Sequence, residues 1–402
     1  MAVAAAGRAA TAASTLPQCS CDVAPGIPAD PAETLAAVAE GFGLAAYRFE
    51  RYKSSAEPGL AEVTLLVDGA RAAQAMLPAL RRAEVAVRAT LYARDLVNEP
   101  ASSLGPADLA AEAARLAGER GLQFEVVEGE ALEVLGFGAV LAVGGGSATP
   151  PRLVTVRYRP AGARAHVVLV GKGVTFDSGG LDLKRGASME GMKDDMAGAA
   201  TVLAVLGAAA ELGLPVAVTG LLPLVENMPS GAAMRPGDVV RARNGTTIEI
   251  YDTDAEGRLS LSDALALAAE AEPDAIVDVA TLTGSAVAGL GPACTAVLSN
   301  TPALASRILA AAARAGETAW ELPLVEDYRR FLNSDVADLR NATEHPGDVI
   351  QAALFLREFV AGRPWAHLDV AGPATLKEAS YYQPKGATGC MVRTLLDLLE
   401  AW

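Results

Sequence analysis

The chain contains 402 residues with a formal net charge of −15 at pH 7, and 51% of its residues are hydrophobic. This length and composition indicate a soluble globular protein of about two domains, and no apolar run approaches the roughly 20 residues that a membrane-spanning helix requires. The acidic balance argues against broad nucleic-acid binding, which depends on Lys and Arg side chains that neutralise phosphates. We therefore expect neither a nucleic acid nor a membrane as a partner.

The first thirty residues are rich in alanine, proline and serine, and Arg8 is the only basic residue among them. Such low complexity predicts a disordered leader over 1–30. A secretory signal would need a basic start followed by a clear apolar stretch, so we expect a cytoplasmic protein. The four cysteines agree with this location, because they are too few and too scattered to form a disulfide framework.

The front part of the chain contains two predicted helices and one predicted strand. A helical pattern covers 31–47, a strand pattern covers 62–68, and a long helix rich in alanine, arginine and leucine covers 71–97. The long helix ends where a proline follows, because proline disfavours helix in the residue before it. We interpret 31–90 as a partial amino-terminal α/β portion with a connecting helix that leads into a larger domain over 91–402.

Strands and helices alternate through the larger domain. The predicted strands are 122–127, 153–158, 165–171, 215–222, 246–251, 275–280, 294–299 and 366–370. The predicted helices are 107–119, 129–134, 196–212, 259–271, 303–315, 347–361 and 388–401. Continuous apolar strands between helices predict an α/β fold with a mixed, mainly parallel central sheet and helices on both of its faces.

Two short charged segments each follow a predicted strand. One reads Gly-Lys-Gly-Val-Thr-Phe-Asp-Ser-Gly-Gly over 171–180, and the other reads Asp-Thr-Asp-Ala-Glu-Gly-Arg-Leu over 252–259. Ligands bind at the carboxyl ends of strands in open α/β sheets. Lys184 and the Lys-Asp-Asp run at 193–195 add charge to the same region. Because buried carboxylates need a compensating cation, the pattern predicts a divalent metal and a metallohydrolase.

Four carboxylates in these segments are candidate metal ligands: Asp177, Asp195, Asp254 and Glu256. Four such groups can hold two divalent ions roughly 3.5–4 Å apart. Asp254 and Glu256 stand two residues apart on a predicted extended loop, so both can face one site. The alternative for any single aspartate is a helix cap or a turn, which Asp195 also fits.

Three of the six lysines fall within 172–193, beside these carboxylates. The pKa of an ammonium group falls readily on burial, a property that a guanidinium lacks. A solvated charged loop is the alternative for any single lysine. For Lys172 and Lys184 together, next to Asp177, we favour a functional role.

Other catalytic motifs do not fit this sequence. His166 stands where a phosphate-binding loop needs its first glycine, and Gly173 follows the lysine in place of Ser or Thr. Ser178 lacks the leading glycine of a nucleophile elbow. The chain has only three histidines and no His-Glu-x-x-His motif. Metal chemistry with oxygen ligands is what remains.

Eight segments carry a family resemblance: 170–180, 192–200, 226–231, 235–238, 252–259, 278–284, 365–372 and 386–389. In them the chain resembles the leucyl (cytosol) aminopeptidases, a family of two-metal exopeptidases that assemble as hexamers. The resemblance covers essentially all of 91–402. It implies an enzyme that removes amino-terminal residues, preferably apolar ones such as leucine, from peptides, and that forms a homo-hexamer.

The resemblance also implies the metal ligands, which are Lys172, Asp177, Asp195, Asp254 and Glu256. The two ions would be Mn²⁺ or Zn²⁺. The first would be held by Lys172, Asp177, Asp195 and Glu256. The second would be held by Asp177, Asp254 and Glu256. A lysine ligates only when it is neutral, which requires the large fall in pKa that two adjacent dications cause.

The same resemblance implies the catalytic roles. A metal-bridging water would attack the peptide carbonyl, Lys184 would stabilise the oxyanion, and Arg258 would hold a bicarbonate that acts as general base. The free amino group of the substrate would bind a metal. Met189 and Met192 are candidate walls of the side-chain pocket, although an isolated methionine more often packs in a core.

Two features depart from the family pattern. Asp252 stands where the family motif begins with asparagine, and we expect only a modest effect on metal affinity. The segment 31–90 matches only the last portion of the family's amino-terminal domain, so a truncated or replaced front part is expected. The alternatives are a dipeptidase-like specificity and a non-catalytic binding paralogue, since some family members also bind DNA.

Overall fold

The computed structural model describes residues 2–12, 18–22, 30–55 and 59–402. The helices are α1 (Ala2–Ala12), α2 (Pro31–Ala45), α3 (Ala70–Asn98), α4 (Pro106–Arg120), α5 (Glu130–Val134), α6 (Gly138–Gly144), α7 (Ala197–Leu212), α8 (Glu256–Glu270), α9 (Gly284–Leu290), α10 (Pro302–Ala315), α11 (Asp348–Arg357) and α12 (Val392–Glu400). Short 3₁₀ helices occupy Gly186–Ser188, Met192–Asp194 and Glu326–Leu332.

The strands in the same ranges are β1 (Gln18–Asp22), β2 (Glu62–Leu66), β3 (Gln123–Glu128), β4 (Arg152–Tyr158), β5 (His166–Gly171), β6 (Gly173–Asp177), β7 (Ala217–Asn227), β8 (Val239–Arg241), β9 (Thr247–Glu249), β10 (Ala275–Ala280), β11 (Thr295–Ser299), β12 (Ala319–Glu321), β13 (Leu339–Arg340), β14 (Trp365–Asp369), β15 (Thr375–Leu376) and β16 (Gly386–Ala387). Nine of these strands form one sheet, in the order β12-β11-β14-β10-β5-β7-β4-β3, with β6 also paired to β7.

The central sheet confirms the predicted mixed, mainly parallel architecture. Its middle pairs β14–β10, β10–β5 and β5–β7 are parallel. The pairs β11–β14, β7–β4 and β4–β3 are antiparallel. Strand β10 is buried along its whole length, as a parallel strand covered on both faces must be.

Helices cover both faces of this sheet, as predicted. Alternate side chains of β5 point to opposite faces: Val167 and Leu169 enter one hydrophobic cluster, and Val168 and Val170 enter another. The first cluster includes residues of α3, α4, α7, α10 and α12, and the second includes residues of α6, α8 and α11. The sheet is therefore the rigid middle layer from which the loops of the site project.

Two details of the predicted site segments were wrong. The motif at 252–259 follows β9, which belongs to a separate sheet of order β13-β9-β8 and not to the central sheet. Helix α8 begins at Glu256 and not at 259, so Glu256 lies in a helix and not on an extended loop. The helix start is hard to detect because Ala255, which precedes it, forms no side-chain cap.

The prediction of a disordered leader over 1–30 is wrong for the parts that the structure describes. Residues 2–12 form a helix, and 18–22 form a strand parallel to β2. The buried side chains of Ala6 and Ala10 pack with α2 in a small hydrophobic cluster. Alanine-rich composition does not reveal such packing, which depends on a distant helix. The segments 13–17 and 23–29 lie outside the described residues.

The expectation that no apolar run approaches membrane-spanning length was wrong for one segment of the described chain, Gly186–Leu212, which is long and apolar enough by length and composition. In the structure 83% of its most apolar window is buried inside the protein. Most of the segment is α7, which packs between the central sheet and α3. The apolar character of this segment is therefore that of a core helix.

Helix α8 is anchored in its middle by a buried carboxylate. Asp263 is wholly buried, and its Oδ2 accepts from the amides of Ala139 and Val140, both at 2.9 Å. Its Oδ1 accepts from the amide of Arg243 at 2.8 Å. Burial raises the pKa of Asp263 to about 7, although these hydrogen bonds oppose the shift. The same side chain thus joins α8, α6 and the turn after β8.

We expect Asp263→Ala to lower the free energy of unfolding by about 3 kcal/mol, because three backbone amides, two of them buried, lose their acceptor. Urea denaturation followed by circular dichroism would measure the change. Asp327→Ala, which removes an exposed aspartate, should change the midpoint little. Equal midpoints for Asp263→Ala and the parent protein would contradict the prediction.

Candidate metal centre

An open cavity of about 580 Å³ lies where several loops and the first turn of α8 meet. The cavity is lined by the end of β6 and the connection to α7, the turn after β9, the first turn of α8, the loop after β10, the segment that leads into α11, and the loop after β14. Its charged lining residues are Lys172, Asp177, Lys184, Glu190, Asp194, Asp195, Asp252, Asp254, Glu256, Arg258 and Asp348. The cavity therefore contains all seven residues that the sequence analysis selected.

Lys172 lies at the bottom of this cavity, between β5 and β6. Its Nζ is 2.7 Å from Asp195 Oδ1 and 2.8 Å from Glu256 Oε1, and it donates to the carbonyl of Thr281 at 3.0 Å. Burial alone would lower the pKa of Lys172. The carboxylates of Asp195 and Glu256 outweigh this effect, so the pKa of Lys172 lies above its ordinary value. Burial also raises the pKa of both carboxyl groups, and their proximity to Asp177 adds to that rise.

Lys184 joins the other two predicted ligands. Its Nζ is 2.8 Å from Asp177 Oδ2 and 2.6 Å from Asp254 Oδ1. Burial opposes these carboxylates, which nevertheless raise the pKa of Lys184 above its ordinary value. Burial raises the pKa of Asp254 to about 6, although the nearby Lys184 ammonium lowers it in part. Each lysine thus lies between two carboxylates.

The structure also reveals residues that orient the ligands and that the sequence analysis did not select. Asn227 Nδ2 donates to Asp177 Oδ1 at 2.9 Å and to the carbonyl of Thr253 at 3.0 Å. Thr281 Oγ1 donates to Asp195 Oδ1 at 2.8 Å. Both residues fall within segments that carried the resemblance, 226–231 and 278–284, which was the available signal.

Asn341 has no such signal in the sequence. Its Oδ1 accepts from the amide of Tyr251 at 2.8 Å, and its Nδ2 donates to the carbonyl of Asp252 at 2.6 Å. It therefore holds the turn that carries Asp254, from a position about ninety residues further along the chain. Only the tertiary fold brings these groups together.

Arg258, two residues into α8, is almost fully enclosed. One of its terminal nitrogens donates to the carbonyl of Asn341 at 2.8 Å, and the other donates to Asp348 Oδ1 at 2.7 Å. Its Nε is buried and has no hydrogen-bond partner among the described residues. Of the two methionines, Met192 lines the cavity, whereas Met189 is not among its lining residues in the described chain.

The donor set fits divalent metal. Asp177, Asp195 and Glu256 each offer a carboxylate oxygen, and these oxygens lie within 4.8 Å of one another. Asp195 Oδ2 is buried without a hydrogen-bond partner among the described residues, a costly arrangement unless a cation takes that lone pair. Oxygen-rich sets of this kind suit divalent cations. Asp254 lies outside the group of three and reaches it through Lys184.

Comparison with known proteins identifies the family. The sequence model described as "Cytosol aminopeptidase family, catalytic domain" matches residues 91–396. This chain belongs to that family. A probable cytosol aminopeptidase of Micrococcus luteus is 49% identical to it over 394 residues, which cover 94% of this chain and 77% of the relative. A probable cytosol aminopeptidase of Geobacter sp. strain M21 is 46% identical over 397 residues, covering 98% of this chain and 79% of the relative.

A solved structure agrees with this assignment. The bottromycin maturation enzyme BotP in complex with Mn superimposes with a TM-score of 0.94 at 46% identity, and the match covers 100% of this chain and 87% of BotP. The predicted resemblance, the fold class and the enzyme class are therefore confirmed. The cytosol aminopeptidase domain makes this protein a metal-dependent aminopeptidase, and its acidic cluster fits the dinuclear metal dependence of the family. The roles of individual residues stay predictions.

Asp252 has a local function that asparagine can share. Its Oδ1 accepts from the amide of Asp254 at 2.8 Å. Burial raises the pKa of Asp252, and the nearby Asp182 adds to the rise. An asparagine would keep the oxygen acceptor and lose only the charge.

We therefore expect Asp252→Asn to shift the Mn²⁺ concentration for half-maximal activity by less than tenfold. Asp252→Ala, which removes the acceptor and frees the turn, should shift it more. Titration of activity with Mn²⁺ would measure both variants. A shift of ten-fold or more in Asp252→Asn would show that the charge itself sets metal affinity.

Proposed function

We propose that this protein removes amino-terminal residues from peptides, with a preference for apolar residues such as leucine, through two divalent ions. The ligands in this proposal are Lys172, Asp177, Asp195, Asp254 and Glu256. The observation that carries it is the convergence of three buried carboxylates within 4.8 Å, with a lysine against each side. Mn²⁺ and Zn²⁺ are the candidate metals, and the manganese complex of BotP favours Mn²⁺.

The bound ions would supply Lewis acidity and lower the pKa of a water molecule. The chain's own residues do the rest. Asn227 and Thr281 fix Asp177 and Asp195 through side-chain hydrogen bonds. Lys184, which faces the cavity, stabilises the charge that develops on the carbonyl oxygen of the substrate. An anion beside Arg258 accepts the proton of the attacking water, and the family resemblance names bicarbonate for this role.

We propose a homo-hexamer in the cytoplasm that acts on peptides, without nucleic acid or membrane as a partner. The names of the relatives, which are cytosol aminopeptidases, support the location. A sizing measurement in solution tests the assembly.

Hydrolysis of leucine amide with added Mn²⁺ or Zn²⁺ tests the central proposal. We expect Glu256→Ala to lose Mn²⁺ binding in calorimetry and at least a thousandfold in kcat, because a ligand predicted to be shared by both ions is gone. Lys184→Ala should keep Mn²⁺ binding and lose kcat by about 10²–10³-fold, as expected for removal of one oxyanion-stabilising group.

Two matched controls test whether the loss of activity is specific to Glu256 and Lys184. Glu270→Ala changes a glutamate at the far end of the helix that begins with Glu256. Lys377→Ala removes an exposed lysine. Both variants should retain near-parental activity. Folded parent protein without metal-stimulated turnover would point instead to a binding paralogue. Turnover of dipeptides alone, with leucine amide and longer peptides untouched, would point to the dipeptidase-like specificity.

A further inference from the structure

The Arg258 guanidinium already has a carboxylate partner inside the cavity. It donates to Asp348 Oδ1 at 2.7 Å, and both residues line the cavity that contains Lys184. The Arg258 side chain is 4% exposed, whereas that of Asp348 is 44% exposed. The carboxylate is thus fixed at one oxygen by a buried cation and is still accessible from the cavity. A bicarbonate on the same guanidinium nitrogen would have to displace it.

The turn before α11 fixes the position of Asp348. Gly347 has φ +94°, in the left-handed region that favours glycine, and α11 begins at the next residue. The amide of Gln351 donates to the carbonyl of Gly347 at 3.1 Å, and its side-chain Nε2 donates to the carbonyl of Pro346 at 2.8 Å. Gln351 Oε1 accepts from Thr343 Oγ1 at 2.9 Å. Asp348 therefore projects from a turn that is held at several points.

Three other cavity carboxylates lie outside the predicted ligand set, and they are less suitable as bases. Asp194 Oδ2 accepts from Thr375 Oγ1 at 3.0 Å, and Asp252 Oδ1 accepts from the amide of Asp254 at 2.8 Å. Glu190 is exposed, and no lysine or arginine is paired with it among the described residues. No histidine lines the cavity in the described chain. Asp348 alone among these four combines accessibility with an orienting cation.

We propose that Asp348 is the general base of the reaction and takes the role that the resemblance gives to bicarbonate. This inference rests on the proposed aminopeptidase function. The Asp348 carboxylate takes one proton from the attacking water while the water oxygen bonds to the carbonyl carbon. It returns that proton to the leaving nitrogen as the carbon–nitrogen bond breaks, so one water is consumed and the carboxylate is restored. Arg258 positions the carboxylate throughout.

Chemical rescue tests the proposal with the full-length protein loaded with Mn²⁺. Leucine amide hydrolysis is measured in buffers freed of carbon dioxide and then with added bicarbonate or formate. The parent protein should change less than twofold on addition of either anion. Asp348→Ala should lose about 10²–10³-fold in kcat with KM little changed. Either small anion should restore at least tenfold, because it can bind Arg258 in the space left by the side chain.

Asp348→Asn supplies the matched control. It fills the same space without a basic oxygen, so it should lose kcat to a similar extent and resist rescue. Asp327→Ala, at an exposed site, should be unaffected by the substitution and by the anions. Calorimetry with Mn²⁺ and thermal midpoints would establish that the Asp348 variants stay folded and bind metal.

Three results would overturn the inference. A parent protein that requires bicarbonate, with Asp348→Ala nearly as active, would assign the base to bicarbonate. Folded, metal-binding Asp348→Ala that stays inactive with both anions would make Asp348 a structural partner of Arg258. Parent protein without any metal-stimulated turnover would overturn the proposed function and this inference together, which distinguishes that failure from the first two.

Discussion

The structure depends on compensating several carboxylates that are buried side by side. Asp177, Asp195 and Glu256 are each at most 4% exposed, and their oxygens lie within 4.8 Å of one another. Ionised groups in such a position repel and lose hydration, so they persist only with cations between them. Lys172 and Lys184 supply ammonium groups at 2.6–2.8 Å from these acids and Asp254. Divalent ions would neutralise the same carboxylates more strongly than the two ammonium groups do.

Close packing is needed for this compensation to work. A Cβ atom on Gly257 would lie 2.5 Å from Lys172 Cε and 2.7 Å from its Nζ. Any larger residue there would push Lys172 away from Glu256, the neighbour of Gly257 in the chain. The rigid layer behind it is α7 and the buried strands β5 and β10. The packed core thus holds the three carboxylates at separations that their mutual repulsion alone would increase.

A second buried charged cluster, made of one histidine and two aspartates, lies below the loop after β10. The parallel register places Asp278 opposite His367 and Ala280 opposite Asp369. His367 Nδ1 is 2.5 Å from Asp278 Oδ1, and its pKa is about 9, since the two aspartates outweigh the effect of burial. Asp369 Oδ2 accepts from Thr283 Oγ1 at 2.7 Å. Asp369, whose Oδ2 lies 3.9 Å from His367 Nε2, therefore holds the loop that carries Thr281 through its hydrogen bond with Thr283.

The sequence predicts those parts whose cause is local. Apolar runs between helical patterns predict the parallel strands, and the clustering of Lys172, Asp177 and Lys184 predicts the charged site. Strand β6 escapes detection because it follows β5 after a single residue and pairs with the far half of β7. Asn341 and Asp348 also escape, because their partners, the turn at 251–255 and Arg258, lie about ninety residues away.

The charge of the cavity also bears on which end of a peptide it accepts. Among the described lining residues eight are acidic and three are basic, an excess of five negative charges when all are ionised. Two divalent ions with Lys172 as a neutral ligand would leave an excess of two negative charges and would not reverse its sign. A protonated amino terminus is attracted to such a site, whereas a carboxyl terminus is repelled. The electrostatics of the cavity therefore favour cleavage from the amino end, independently of the side-chain pocket that selects the residue removed.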